Sequence, residues 1–447
     1  MNNKAIKITV SVLLAIAIAV LSFTAGFLVK KCSADKALAS YEWALKTIKD
    51  NYYFGEPDIG YTETSLKAIA DTYLDRYSEY YTKEEYEEVQ KSNAGSKSGI
   101  GLSFSTKSDR GIFISKVVGN SPAYKSGLRA GEWITGGKVE GGSEVAFTGP
   151  KAVSFSDFIS PVADGVQMTF TSEDGKSYSM AKAEYISSYT PLSTSATGWT
   201  FGDSADGGLA LYEKTELRLS YLPEGCAYLR LDQFYGTATS EFYSLIEKFN
   251  AMRCTSLILD LRSNGGGYVS IMQDLAGCFA DGQGKLAMLS RDKKGGEENY
   301  DCKKVTDKAQ RIDKSVKVFV LANAGTASAS EALIGAMVCY GALDKKNIFL
   351  SDYGNEYINW LYPKGTGVKN AQTYGKGIMQ TPFTNSRTGE VLKLTTAKIF
   401  WPDGTTSIHD IGLTVANDKC TPVSAQWEWT KGDEELRSAV DIIKSRI

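Results

Sequence analysis

Histidine is nearly absent from this 447-residue chain, which contains one, His409. A zinc site built on paired histidines is therefore excluded, and a serine–histidine triad would have to use His409. Any other hydrolytic chemistry must find a different base. A surplus of one charge is also missing, with 50 lysines and arginines against 52 acids. No global basic field exists to hold nucleic acid. Among the seven cysteines there is no Cys-x-x-Cys pair, which removes zinc ribbons and thioredoxin-like redox motifs. Cys278 and Cys339 sit in apolar runs and are expected as small buried hydrophobes. The glycine run at 265–267 lacks the Gly-x-Gly-x-x-Gly spacing of dinucleotide folds. Asn370 stands five before Gly375, which excludes a phosphate-binding loop at Gly375-Lys376. With 43 % hydrophobic and 23 % charged residues, the chain has a globular composition rather than a disordered one.

The organisation along the chain is legible in its periodicities. Residues 8–29 carry no charge, and at ~1.5 Å per residue such a helix is long enough to cross a bilayer. No Ala-x-Ala cleavage site follows, so 1–35 reads as an uncleaved anchor rather than a removable signal. Lysines on both sides leave its orientation open. Leu38, Tyr41, Leu45 and Ile48 then mark one helix face, and Leu66, Ile69 and Tyr73 a second. Thr82 and Glu85 have the capping-box spacing that opens a third helix, making 36–97 a small helical region. From 98 to 186 the texture changes to short strands and glycine turns. A short helix at 121–127 is closed by Gly127, and a hairpin turns at Asp174-Gly175. From 187 to 447 strands and helices alternate, the grammar of an α/β core within a chain that is α+β as a whole. The last helix aligns Leu436, Val440, Ile443 and Ile447.

Functional groups in α/β sheets gather where strands end and helices begin. Two such turns are unusual here. In Asn264-Gly265-Gly266-Gly267 the missing side chains allow close approach to the backbone, although a simple tight turn would have the same composition. In Gly325-Thr-Ala-Ser-Ala-Ser-Glu331, Ser328 could merely cap the next helix, with Glu331 at capping-box spacing. That capping role is the plainer reading; the functional one makes it an exposed nucleophile, with the Ala329 amide facing a developing oxyanion and a glycine amide of the other turn beside it. With histidine so scarce, lysine is the leading base, because desolvation can lower its pKa by several units. Tyr374-Gly-Lys376-Gly-Ile-Met-Gln380 sets a lysine between glycines with a glutamine four residues on; an exposed, protonated Lys376 is the plain alternative.

Taken together, these motifs resemble the C-terminal processing, or tail-specific, serine peptidases. The likeness rests on Tyr77-Ser-Glu-Tyr-Tyr-Thr-Lys-Glu-Glu-Tyr86, Gly99-Ile-Gly-Leu-Ser-Phe104, Ser121-Pro-Ala-Tyr-Lys-Ser-Gly-Leu-Arg-Ala-Gly131, Leu257-Ile-Leu-Asp-Leu-Arg-Ser-Asn-Gly-Gly-Gly267, Ala327-Ser-Ala-Ser-Glu331 and the Lys376 segment. Their order along one chain is more specific than any one of them. The resemblance implies a PDZ-like domain at 98–186 inserted before a crotonase-like peptidase core at 187–447. It implies Ser328 as nucleophile, Lys376 as general base, Gln380 as the residue that orients Lys376, and Ala329 with Gly266 as the oxyanion hole. Gly99, Ile100, Gly101 and Leu102 match the loop that receives a substrate's terminal carboxylate. Against the same family resemblance, 136–149 is a glycine-rich insertion. Protein or peptide tails are then the partners, with the bilayer held through 8–29, no nucleic acid, and neither metal nor organic cofactor. Relatives act outside the cytoplasm, which implies a bacterial-type cytoplasmic membrane with the catalytic domain outside. Ser328 and Lys376 are farther apart than in relatives, the excess falling at 347–371. That insertion motivates an alternative, a PDZ-containing peptide-binding protein without turnover. A hydrolase built on His409 is a third reading, although the segment around His409 looks structural.

Overall fold

Strand Ser256–Asp260 (Ser-Leu-Ile-Leu-Asp) is buried at every position, as expected for a central strand covered on both faces. Its neighbours show why. Leu257 and Leu259, Val318 and Val320, and Ala227 and Leu229 enter one apolar cluster, while Ile258, Phe319, Leu321 and Tyr228 enter another. Alternate residues thus feed opposite faces, the period of two that a strand imposes.

A computed structural model describes residues 39–55, 66–107, 110–279, 282–351, 371–423 and 433–447. The segment 8–29, Leu38, Cys32 and residues 352–370 of the 347–371 insertion lie outside the described residues. Among the described residues no helix is long and apolar enough to cross a membrane. The chain divides into two units, Met1–Glu87 with Gln380–Thr396, and Glu88–Met379 with Ala397–Ile447.

In the first unit, 39–51 and Leu66–Tyr73 are helical, and Glu79–Tyr81 pairs antiparallel with 391–393. Ala44, Ile48, Tyr52, Leu66, Ile69, Leu392 and Leu394 form its core. The buried face of the first helix is therefore the 44/48/52 row, and Leu45, expected inside, is 37 % exposed. The expected capping box opens helix Lys83–Asn93: Thr82 N donates to the Glu85 carboxylate and Glu85 N to Thr82 Oγ1.

The second unit contains an eight-stranded mixed sheet. Its order is Leu209–Glu213, Gly198–Asp203, Leu192–Ser193, Cys226–Arg230, Ser256–Asp260, Lys317–Ala322, Ile348–Ser351, Thr421–Val423. The last five run parallel to one another. Helices Ala238–Ala251, Val269–Gly277 and Ala329–Cys339 contribute to the larger cluster, and helix Glu434–Ile443 to the other. Ile447, expected on that last helix face, lies beyond it and is 44 % exposed. Cys278 is buried as expected, but Cys339, at the helix end, is exposed.

A separate six-stranded sheet in the same unit runs Leu102–Lys107, Gly111–Val117, Trp133–Val139, Gln167–Ser172, Ser177–Ala181, with Glu144–Ala146 beside Trp133–Val139. It has its own core, built on Ile112, Ile114, Phe147, Phe155, Phe158 and Phe170. The glycines expected in an insertion, Gly136 and Gly137, instead continue a strand. A side chain at Gly137 would meet the Phe147 ring at 2.9 Å, so glycine is what lets the aromatic layer close over the strand. Leu102–Lys107 is an edge strand, paired on one side with Gly111–Val117 among the described residues.

The chain leaves this sheet through 187–190, which is gripped by Glu241 at the start of helix Ala238–Ala251. The Glu241 carboxylate, 1 % exposed, accepts from Ser188 Oγ, Tyr189 N, Thr190 N, Thr190 Oγ1 and Thr237 Oγ1.

Candidate active site

The site is built on two adjacent turns that follow the parallel strands Ser256–Asp260 and Lys317–Ala322. Asn323 Oδ1 accepts from Ser263 N at 2.8 Å and from Gly325 N at 2.9 Å. Thr326 Oγ1 donates to Leu261 O at 2.7 Å, and Ala327 N to Asn264 O at 3.0 Å. Each turn is therefore held by the other. At the end of the second, Ser328 adopts φ 56°, ψ −116°, a conformation that L-residues rarely take. Backbone held this way costs on the order of 1–3 kcal/mol, and the surrounding bonds supply it. Ser328 stays half-buried at the surface while Ala329 begins the helix. Among the described residues the Ala329 N–H is not drawn into the protein's own hydrogen bonds, as is usual for the first turn of a helix.

Gly266 packs directly on this serine. A Cβ there would lie 2.9 Å from Ser328 Cβ, Ala327 O and Ala329 N, and φ is +97°, so only glycine fits. Its N–H donates to Asn264 Oδ1 at 2.9 Å. Asn264, fully buried, also donates Nδ2 to Leu231 O, and its carbonyl accepts from Ser330 Oγ.

Lys376 reaches the same unit from a later segment. Tyr374 N donates to Thr326 O at 3.0 Å, pinning this segment to the Ser328 turn. The residue that ties them together is Glu331, fully buried. Its Oε2 accepts from Ser328 N at 2.9 Å and from Lys376 N at 3.0 Å, and its Oε1 from Thr373 Oγ1 at 2.6 Å and Gly375 N at 2.8 Å. Burial pushes its carboxyl up to about 7, against the opposing pull of these donors. The sequence reading saw Glu331 only as a possible capping partner; its bonds to 373–376 come from far along the chain. Gly377 matters for a different reason: a side chain there would meet His409 N at 2.7 Å. His409 thus packs behind the lysine segment, and its Nε2 lies 3.4 Å from Asp410 Oδ2.

Gln380 belongs to the first unit, where its Nε2 donates to Thr395 Oγ1 at 3.1 Å. Gly99 and Gly101 both have positive φ, and a Cβ at Gly101 would fall 2.2 Å from Ser121 Cβ. Ile100 O accepts from Ala123 N, Gly101 O from Val118 N, and Leu102 begins the edge strand.

Beneath the glycine turn, Arg262 is buried among acids. It bonds Asp260 and Asp433 at 2.6 Å and Glu435 at 2.9 Å, while Tyr228 OH donates to Asp260 Oδ2 at 2.7 Å. Burial alone would raise the Asp260 carboxyl; the adjacent guanidinium reverses this and holds it below the ordinary carboxylate range.

Residues 225–342 match the model of peptidase family S41, a stretch that includes both turns, Ser328 and Glu331 but ends before Lys376. A CtpA-like serine protease of Staphylococcus haemolyticus (strain JCSC1435) is 27 % identical over 372 residues, 83 % of this chain and 62 % of that protein. One from Staphylococcus epidermidis (strain ATCC 35984) is 26 % identical over 376 residues, 84 % of this chain and 64 % of that protein. The chain thus spans less than two thirds of the length of the curated relatives it matches. The crystal structure of an S41 protease from Bacteroides fragilis NCTC 9343 shares the fold, with a TM-score of 0.57 at 14 % identity over 91 % of this chain and 97 % of that one. The mixed α/β fold is thus shared with a solved S41 protease, and the match to the S41 family model falls on the stretch that holds both turns.

Proposed function

We propose that this protein is a membrane-anchored serine endopeptidase that cleaves protein substrates near their C-termini. Residues 8–29 hold it in a bilayer, with the catalytic domain outside the cytoplasm. Ser328 is the nucleophile, Lys376 the general base and Gln380 the residue that orients the amine. The observation that carries this reading is Ser328 itself: a half-buried serine in a strained conformation, at the start of a helix, sharing one carboxylate with the Lys376 backbone. Strain at a position so fully specified marks a functional site more often than a structural cap.

In the reaction, neutral Lys376 takes the Ser328 hydroxyl proton as Oγ attacks the scissile carbonyl. The Ala329 N–H, with that of Gly266, faces the resulting oxyanion. The Gly266 N–H would be shared between Asn264 Oδ1 and the oxyanion, as in a three-centre bond. The lysine ammonium then gives its proton to the leaving amine, and water resolves the acyl-enzyme. The edge strand Leu102–Lys107 is suited to accept a substrate tail as an added strand, with the loop of Gly99, Ile100, Gly101 and Leu102 at its terminal carboxylate.

The test is cleavage of a peptide with an apolar, free-carboxylate C-terminus by the full chain in detergent, beside Ser328→Ala. Cleavage by the wild type alone supports the reading, and equal cleavage by both removes Ser328 as nucleophile. A second reading, a peptide-binding protein without turnover, has one observation on its side, the Gly266 N–H already bonded to Asn264. Tail binding without cleavage, and no labelling of Ser328 by a serine-reactive phosphonate, would establish it.

A further inference from the structure

Glu331 makes more bonds than a helix cap requires. A cap needs the Ser328 amide, which Oε2 accepts at 2.9 Å. The other three donors, Lys376 N, Gly375 N and Thr373 Oγ1, come from the segment that carries the base. Three of the four are backbone N–H groups, which can only donate. The fourth, Thr373 Oγ1, already accepts from Leu413 N at 2.7 Å. An ionised carboxylate satisfies all four donors. A protonated one must place its own hydrogen among groups that offer almost no acceptor, so at least one bond is lost.

We propose that Glu331 is a positioning residue whose ionised carboxylate keeps the Ser328 and Lys376 segments in register, and whose protonation lets them part, so that the site is switched off by acid. This rests on the reading of Ser328 and Lys376 as a peptidase pair. Burial supports the switch, because it holds the Glu331 carboxyl near 7, within reach of ordinary pH changes. The other titratable side chains on the segments packed here are Tyr374 and Lys376 and, behind them, His409 and Asp410, which pair at 3.4 Å. The 264–267 turn brings none, and on Glu331's own helix Cys339 stands at the far end.

The experiment is the pH profile of kcat and KM, and of Ser328 phosphonylation, for the full chain between pH 5.5 and 9. For the wild type, kcat is expected to fall about tenfold from pH 8 to pH 6, as a single group near 7 requires. Glu331→Gln mimics the protonated acid, so its kcat at pH 8 is expected about 100-fold down, the scale of a small misplacement, with KM within about twofold. Its profile should be flat where the wild type bends. Thr373→Val removes a donor that stabilises the ionised form, so the midpoint should move to higher pH, and Thr373→Ser should restore it. This second pair decides the question even where Glu331→Gln does not fold. Wild-type kcat and an unchanged acid limb in Glu331→Gln would overturn the proposal. So would a limb that ignores Thr373→Val but vanishes in His409→Asn. Cleavage that survives Ser328→Ala would instead remove the peptidase reading, and this inference with it.

Discussion

The backbone amides of Ser328 and Lys376 converge on one atom, Oε2 of Glu331, so the two nitrogens lie within about 6 Å of each other. Their register is therefore set through backbone rather than through the long, flexible lysine side chain. Each segment is further fixed on its own, Ala327 by Asn264 and Tyr374 by Thr326. The proposed nucleophile and base thus share one hydrogen-bonded frame, which is what catalysis by positioning requires.

That frame carries a cost in stability that depends on pH. The Glu331 carboxyl is raised from 4.5 to about 7 in the folded protein. Between those values the folded chain holds a proton that the unfolded chain has lost, so this group makes the protein less stable as pH rises. The sign is opposite to that of a salt-bridged carboxylate. The difference amounts to roughly 3 kcal/mol between pH 4.5 and pH 7. Urea unfolding at pH 5.5 and 8 should show about 2 kcal/mol of it, and Glu331→Gln should reduce the difference.

Arg262 is expected to be a stability hot spot away from the chemistry. Removing it leaves Asp260 and Glu435 buried without their cation, and Arg262→Ala should cost about 3–5 kcal/mol. Denaturant unfolding measures this directly. A loss below about 1 kcal/mol, typical of surface pairs, would mean that the acids find other partners.

Gly266→Ala should reduce both activity and stability. Its methyl group would press on Ser328 Cβ and Ala329 N at 2.9 Å, and the positive φ adds strain of about 1–3 kcal/mol. Phosphonate labelling of Ser328 should slow at least tenfold, the scale of losing one oxyanion donor. Wild-type labelling would show that the turn can yield without disturbing the serine.

Two polar anchors between the smaller sheet and the core should behave very differently. Lys125 and Asp203 pair at 2.6 Å but are exposed, so Asp203→Asn should cost no more than about 1 kcal/mol. Glu241 accepts five bonds, four of them buried, and Glu241→Ala should cost at least about 2 kcal/mol. Thermal melts of both variants provide the comparison.

Much of this was legible in the sequence because local pattern and burial agree. Ser256–Asp260 reads as a central strand because it is apolar on both faces, and Thr82 with Glu85 reads as a helix start because the capping bonds are three residues apart. Where packing overrides pattern, the reading failed. Ala44 takes the core position expected of Leu45 because the 44/48/52 row meets Leu392 and Leu394, residues far along the chain. Gly136 and Gly137 read as part of an insertion until Phe147 and Phe158 are seen packed on Gly137. Glu331 was visible only as a local cap, since its other partners lie 42 to 45 residues away.

The Arg262 cluster also orders events in time. Asp433 and Glu435 leave the ribosome 171 and 173 residues after the arginine they neutralise. Until then a nascent chain has an under-compensated cation next to the 264–267 turn, and that region gains its full support only after residues 433–435 have been made. If the proposed peptidase activity holds, such late consolidation would delay its arming during synthesis. A chain stopped at residue 423 should accordingly label poorly at Ser328 with a phosphonate, and labelling as fast as in the full chain would show that the site matures without its last support.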